Sequence, residues 1–237
     1  MPRFFVLALV FSAAMAGAAA WAQPSASRHL APGFEARPAG SRLVIAPADM
    51  ELFSISAGGV QEPRADWTDA AQNNFKAALA ARNRQLGEGT TLLEEADLDE
   101  FAELIALQRA VAESVFVHHT GIGLGLRLPT KADRLDWSLG EEAIKPLKAK
   151  TGADYALFTW IRDTYASGER KAAMIGMALL GVISTGGEQV GYASLVDLNT
   201  GRVVWFNDLR RMHGDLREPG SANETVDALL KGFPELK

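Results

Sequence analysis

The sequence predicts a single α/β domain of the α+β-like kind, with a mixed sheet, a C-terminal β-hairpin and a terminal helix. Short apolar runs typical of buried strands alternate with longer stretches of helical spacing. Residues 189–198 and 202–206 flank an Asn-Thr-Gly turn, which indicates a hairpin. The 237 residues are 48% hydrophobic, enough for one core, and no repeat or internal boundary divides residues 41–237.

The first half of this domain is predicted to contain two short strands separated by a helix. Residues 43–46 are an apolar run stopped by a proline, and residues 90–93 form a second such run. Residues 54–65 contain two glycines and a proline, which predicts a loop. The helix is expected to begin near Asp66 or Thr68, because both residue types cap helices well. Its apolar face consists of Ala71, Phe75, Ala78 and Leu79.

The second half is predicted to add three helices and the central strand. Acidic residues at 94–103 are expected to open the next helix, since they offset the positive helix end. Two Ser-x-x-Glu patterns, at residues 138–141 and 221–224, predict capping boxes for the later helices. Residues 155–161 are apolar on both alternating faces, which favours a strand covered on both sides. The last helix is expected to bury Val226, Leu229, Leu230 and Phe233.

Residues 1–22 have the pattern of a secretory signal peptide. A basic start precedes an apolar run, and Ala20 and Ala22 match the A-x-A processing pattern, with cleavage expected before Gln23. The run is also about long enough to span a bilayer, so an uncleaved N-terminal anchor is the alternative. Residues 23–40 contain several Pro, Gly and Ser residues and are expected to form a flexible leader. We therefore expect a periplasmic or secreted protein.

Charge and cysteine content exclude several classes of protein. The formal net charge is −5, from 24 Lys and Arg against 29 Asp and Glu, so no basic nucleic-acid-binding footprint is present. The sequence contains no Cys. Disulfides, thiolate metal ligands, a cysteine nucleophile and a lipid anchor on an N-terminal cysteine are therefore excluded.

An apolar insert, residues 172–183, lies between the central strand and the hairpin. It is too short to cross a bilayer as a helix. Two interpretations stay open: a buried crossover helix, which we favour, or a surface for self-association or peripheral membrane contact. The two glycines in this insert would let another backbone approach closely. The candidate interaction surface consists of Met174, Ile175, Gly176, Met177, Leu179, Leu180 and Gly181.

No familiar catalytic motif is present, so we expect no enzymatic activity, no cofactor and no metal. The sequence lacks a G-x-S-x-G elbow, an H-E-x-x-H pair and a P-loop. The glycine-rich residues 121–125 do not match G-x-G-x-x-G. The remaining polar candidates each have a simpler structural explanation, as a helix end, a strand end or a solvated loop: His118, His119, Asp163, Glu169, Arg210, Arg211 and Arg217.

Two stretches resemble a known group of envelope proteins. Residues 152–158 read Gly-Ala-Asp-Tyr-Ala-Leu-Phe, and residues 193–205 contain Leu-Val-Asp-Leu-Asn-Thr-Gly-Arg-Val-Val-Trp. This pairing of an Ala-Asp-Tyr strand with an L-x-D-x-x-T-G-x-V-x-W hairpin resembles CsgG-like proteins, penicillin-binding-protein activator lipoproteins and the amino-terminal domain of TolB. The resemblance implies a periplasmic α/β fold and a non-enzymatic role in assembly, secretion or regulation. Many members of that group are lipoproteins, whereas this chain has no cysteine to carry a lipid.

The leading hypothesis is an exported cell-envelope protein that acts through contacts with another envelope protein or with itself. The alternative is a soluble binding protein for a small ligand or glycan, with its cleft near residues 121–137 and 163–170. A hydrolase with an unfamiliar motif is the third candidate, and Asp163 or His118 would then carry the reaction.

Overall fold

A single mixed sheet of seven strands organises the molecule. The computed structural model describes residues 29–120, 134–181 and 186–237. The strands are β1 (Leu43–Ile45), β2 (Asp49–Ile55), β3 (Gln61–Pro63), β4 (Thr90–Leu92), β5 (Tyr155–Ala166), β6 (Gln189–Asp197) and β7 (Val203–Arg211). This arrangement confirms the predicted α/β class and the mixed sheet.

The long strand β5 is the axis of the sheet. On one side β1 and β2 lie end to end along it, both parallel to it, with Leu43 opposite Tyr155 and Asp49 opposite Trp160. β4 pairs in parallel with β1, and β3 pairs antiparallel with β2. On the other side β6 and β7 form the antiparallel hairpin that the Asn-Thr-Gly turn predicts. The turn's Gly201 has a φ of 73°, which glycine adopts without strain.

Helices cover both faces of the sheet. They are α1 (Ala65–Ala80), α2 (Asn83–Leu86), α3 (Ala102–His118), α4 (Glu141–Thr151), α5 (Gly168–Ala178) and α6 (Pro219–Leu229), with a 3-10 helix at Glu95–Phe101 before α3. α1 and α6 share one core with the inner face of β5, which includes Leu157 and Ile161. α3 and α4 share a second core with the opposite face, which includes Ala156 and Phe158. The four apolar residues predicted for α1 are its four buried residues.

Four local predictions are wrong. Neither Asp66 nor Thr68 caps α1, because that helix begins at Ala65 with Arg64 at its N-cap position. Residues 54–65 are not a loop, because they contain the end of β2 and all of β3. Ser138 does not cap a helix: α4 begins only at Glu141, and the Ser138 hydroxyl donates to the carbonyl of Gly201 at 3.1 Å instead. Ser221 does not cap α6 either, since that helix begins two residues earlier, at Pro219. The N-cap position is occupied by Gly140 in α4 and by Glu218 in α6.

Residues 29–40 differ from the flexible leader that was expected. Ala31 is buried and its amide donates to the carbonyl of Val204 in β7 at 2.9 Å. Arg37 is completely buried and donates to the carbonyls of Leu86, Gln85 and Pro234 at 2.7, 3.0 and 3.1 Å. These partners lie far along the chain, so the local composition that predicted a leader does not register them. The predicted signal peptide, with Ala20, Ala22 and Gln23, lies outside the described residues.

Candidate functional site

Helix α5 is the first candidate site, because it contains most of the predicted interaction surface. Ser167 caps the helix by accepting a hydrogen bond from the amide of Arg170 at 3.1 Å. The amide of Ser167 donates to the carbonyl of Ile55, so α5 leaves the sheet where β2 and β5 end. None of its residues is buried. Residues 182 and 183 of the insert lie outside the described residues.

The favoured interpretation of this insert as a buried crossover helix is therefore wrong for the part that the structure describes. Ile175 is 67% exposed, and Leu179 and Leu180 are 85% and 82% exposed. A side chain at Gly176 or Gly181 would meet no other described atom within 4 Å. The physical reason is position: α5 extends from the end of the sheet and packs on neither face. An apolar surface of this kind is open to a partner.

Asp163 is buried within a hydrogen-bonded network rather than exposed beyond the strand. The hydroxyl of Tyr165 and the side-chain amide of Gln189 both donate to its Oδ2 atom, the latter at 2.6 Å. Thr225 in α6 donates to Gln189 in turn, and the amide of Leu216 donates to the Tyr165 hydroxyl. Burial raises the pKa of Asp163 to about 6, although both hydrogen bonds oppose that rise. The network joins β5, β6 and α6, which gives Asp163 a structural task.

Two of the other polar candidates reach the network around Asp163: Arg217 lies over the Tyr165 ring, 4.6 Å from its centroid, and Arg211 donates to the Thr225 hydroxyl at 3.3 Å. His118 stacks on Trp137, with ring centroids 6.4 Å apart, and His119 is buried at the end of α3. Glu169 is exposed in the first turn of α5. The arginines form ion pairs, Arg210 with Glu188, Arg211 with Glu224 and Arg217 with Asp215. The cavity beside Asp163 has a volume of about 100 Å³, below the range of about 300–1,000 Å³ typical of ligand pockets.

The second candidate site is an unpaired stretch of sheet edge, residues 46–51, which we call the open edge. β1 and β2 together form one column of the sheet, and its outer side is the side that faces away from β5. The hydrogen bonds on this outer side stop where Leu93 donates to the carbonyl of Ile45. They resume at Leu52, whose amide donates to the Thr68 hydroxyl and whose carbonyl accepts from Arg64. Between these points no described strand pairs with the outer side of the column. β4 and β3 both turn away here, because each leads directly into a helix.

Two cavities meet at the open edge from opposite faces of the sheet. The α1-side cavity, about 400 Å³, is lined by Ile45, Phe75 and Leu79 among others. The α3-side cavity, about 490 Å³, is lined by Gln108 and Trp160 among others. Both include residues 46–48, so they are neighbours across the edge. Each is within the size range of a specific binding pocket.

Two polar side chains in the lining of the α3-side cavity have no partner among the described residues. Gln108 and Thr159 are each 5% exposed, and neither Gln108 Nε2 nor the Thr159 hydroxyl makes a hydrogen bond to any described residue. Neither residue is among the site residues that the sequence predicts. For Gln108 a signal was present, because it interrupts the buried stripe of α3 that also contains Leu104, Ala112 and Val115. Thr159 is the one polar residue in an otherwise apolar strand start.

Within residues 29–120, 134–181 and 186–237 no group of three His, Cys, Asp or Glu side chains is arranged to hold a metal ion. No helix in these ranges is long and apolar enough to cross a membrane. The glycine-rich residues 121–125, and with them much of the predicted ligand cleft, lie outside the described residues.

Comparison with known proteins gives remote structural likenesses. No protein-family model and no curated protein matches the sequence. A PelC dodecamer structure from Paraburkholderia phytofirmans is 11% identical, with a TM-score of 0.41 over 85% of this chain and 93% of that one. The LpoB C-terminal domain from Salmonella enterica is 14% identical (TM-score 0.29, 77% and 88% covered). Lipoprotein GNA1162 from Neisseria meningitidis is 13% identical (TM-score 0.31, 81% and 94% covered). The chain thus has only a remote similarity to these structures. The family resemblance predicted from the sequence stays a prediction.

Proposed function

We infer that the protein is an exported cell-envelope protein that acts through protein–protein contacts and has no catalytic step of its own. The observation that carries this proposal is the exposure of Leu179 and Leu180, which are 85% and 82% exposed at the end of α5. Apolar side chains that project together into solvent lower the free energy of a complex when a partner covers them. The N-terminal signal pattern and the envelope-protein resemblance support the cellular location.

The surroundings of α5 fit a contact surface. The helix is fixed at its start by the Ser167 cap and by the bond from Arg170 to the carbonyl of Ser56 at 3.4 Å. Toward its far end, a Cβ atom added at Gly176 or Gly181 would meet no other described atom within 4 Å. A surface that is anchored at one end and uncovered at the other offers a partner a preformed helix, which lowers the entropic cost of binding.

Site-specific photo-crosslinking in the producing cell tests this proposal. A photoreactive residue replaces Leu179 in one strain and the exposed Lys231, beyond α6, in the control strain. We expect crosslinks from position 179 to one discrete envelope protein, or to further copies of this chain, and none from position 231. The same crosslink must form between the purified proteins and must be lost in a Leu180→Lys background. Monomer alone at position 179 would overturn the proposal.

A further inference from the structure

We propose that the open edge binds an extended peptide segment of a partner protein, which adds a strand to the sheet between β4 and β3. The segment would place two neighbouring side chains in the two cavities. This site is separate from α5 and goes beyond the contact surface inferred above. The proposal rests on three features of the described residues: the backbone of the edge, the placement of the cavities and the unpartnered polar groups.

The backbone of the open edge presents unpaired hydrogen-bonding groups. Leu52 directs its amide and carbonyl away from β5, since both are bonded on the outer side. Peptide groups alternate in direction along a strand, so Met50, two residues earlier, directs its own amide and carbonyl outward as well. No described residue bonds to these two groups. An unpaired edge of this kind is a template for a further strand.

The two cavities match the side-chain geometry of such a strand. Successive side chains of a strand point to opposite faces of the sheet. The α1-side and α3-side cavities lie on opposite faces and meet at residues 46–48. Two consecutive residues of an added strand would therefore enter one cavity each. A small globular ligand would occupy one cavity and would leave the edge unpaired.

The lining chemistry indicates which side chains fit. The α1-side cavity presents Phe75, Leu79 and Leu92, which suits an aliphatic side chain. In the α3-side cavity Gln108 Nε2 is a buried donor with no acceptor among the described residues. Because an unpaired buried donor is costly, this position favours a side chain with a carbonyl oxygen, as in glutamine or asparagine.

Charge at the rim indicates the flanking residues. Three exposed acidic residues line the cavities, namely Glu94, Glu95 and Asp99. Lys76 in α1 also lines the α1-side cavity. Arg109 is already paired with Asp49 at 2.5 Å. A partner segment with basic residues beside its central pair would complement this rim.

Fluorescence polarisation with defined peptides tests the proposal on the full-length protein. The probe is a dye-labelled heptapeptide with blocked ends, Lys-Thr-Thr-Leu-Gln-Thr-Lys, and its competitor has Leu-Leu at the centre. We expect saturable binding with the Leu-Gln probe preferred. Gln108→Leu should lower affinity for the Leu-Gln probe about tenfold and reverse the preference, while leaving the melting temperature unchanged or higher.

Backbone pairing is tested with two N-methylated forms of the probe, modified at adjacent amides. In an added strand only alternate amides face the edge, so one form should lose binding and the other should keep it. Gln72→Trp, which places a large ring where both cavities meet, should lower affinity at least tenfold. Asn73→Trp, exposed on the same helix, should have no effect.

The proposal is overturned if neither probe binds saturably, or if both N-methylated forms bind as well as the parent peptide. Self-association that Gln72→Trp abolishes, without peptide binding, would assign the edge to a second copy of this chain and would also overturn it. Leu180→Lys should leave peptide binding unchanged, so failure at the edge and failure at α5 are distinguishable.

Discussion

Helices α5 and α6 have the same length, 11 residues, yet they have opposite environments. α6 buries Ala222, Thr225, Val226 and Leu229, whereas α5 buries nothing. In α6 the buried positions recur at spacings of three and four, which gives one apolar stripe. In residues 172–180 apolar side chains and a glycine follow one another without a polar face. The uninterrupted apolar stretch at residues 172–180 is thus left in solvent, while the mixed sequence of α6 is packed in the core.

The difference teaches that placement relative to the sheet decides burial here, rather than hydrophobicity. The chain returns from β7 across the sheet face, so α6 packs beside α1 in one core. Asn207 in β7 fixes this return by donating to the carbonyls of Ala228 and Leu229 at 2.8 and 2.9 Å. The chain leaves β5 at the end of the sheet, so α5 has no face beneath it. Composition alone does not carry this information.

The sharpest test of the comparison is the same substitution in each region. Leu229→Ala should lower the free energy of unfolding by about 2–5 kcal/mol, because a fully packed side chain leaves a cavity. Leu180→Ala should change it by no more than about 0.5 kcal/mol, since that side chain is 82% exposed. Urea unfolding of both variants measures the two values. Equal losses would mean that residue 180 is buried in solution.

A buried arginine supports the α6 side of the molecule. Arg37 stacks on Phe233, beyond α6, with 4.7 Å between the guanidinium carbon and the ring centroid. Its bonds to the carbonyls of Gln85 and Leu86 place positive charge at the C-terminus of α2. Arg37→Ala should cost about 3 kcal/mol, because three carbonyls lose a charged donor. The matched control is Arg84→Ala, which removes an exposed arginine from α2 itself. Thermal unfolding measures both variants, and an equal fall in their melting temperatures would contradict this prediction.

Asp163, which is connected to α6 through Gln189 and Thr225, should make the stability of the protein depend on pH. Its pKa is about 6 in the folded protein against an ordinary value of 3.8, so the folded state holds the proton more tightly than the unfolded state. Stability is therefore highest below pH 4 with respect to this group, and it is lost as pH rises to about 6. Asp163→Asn should be more stable than the native chain by up to about 3 kcal/mol at pH 7, and near-equal at pH 4.

The control for this effect is Asp69→Asn, which removes the same charge from an exposed position on α1. Its stability should differ from the native chain by a small and nearly pH-independent amount. Both variants leave unchanged the residues that surround Asp163 or contribute to its pKa, which are Tyr165, Gln189, Asp215 and Arg217. Destabilisation of Asp163→Asn by equal amounts at both pH values would show that folding does not raise the pKa of Asp163.

The sequence predicted those elements whose signal is local. The buried strand at Leu43–Ile45 and the four core residues of α1 follow from short apolar patterns that the structure confirms. Strand β2 was missed although Met50, Leu52 and Ser54 alternate with more exposed residues, because the neighbouring proline and glycines indicated a loop. Residues 29–40 were missed because their partners lie in β7 and at the C-terminus.

The candidate sites were less predictable than the fold. The apolar insert was identified, but its burial depends on where β5 ends relative to the sheet, which no local pattern encodes. The open edge depends on two strands turning away at different points in the chain, after Leu92 and after Pro63. Gln108 was the one visible clue, as a polar residue within an apolar helical stripe.

The smallest expected effect concerns the cap of α5. Ser167→Ala removes the hydrogen bond to the amide of Arg170, and loss of such a cap costs about 1 kcal/mol of helix stability. Because α5 buries nothing, this loss should leave global unfolding almost unchanged and should instead speed hydrogen exchange within α5. Thr225→Val in α6 is the contrasting variant: it removes the bond to Gln189, and exchange should rise across the core. A global loss of stability from Ser167→Ala would show that α5 is coupled to the core, which would break the contrast between the two helices.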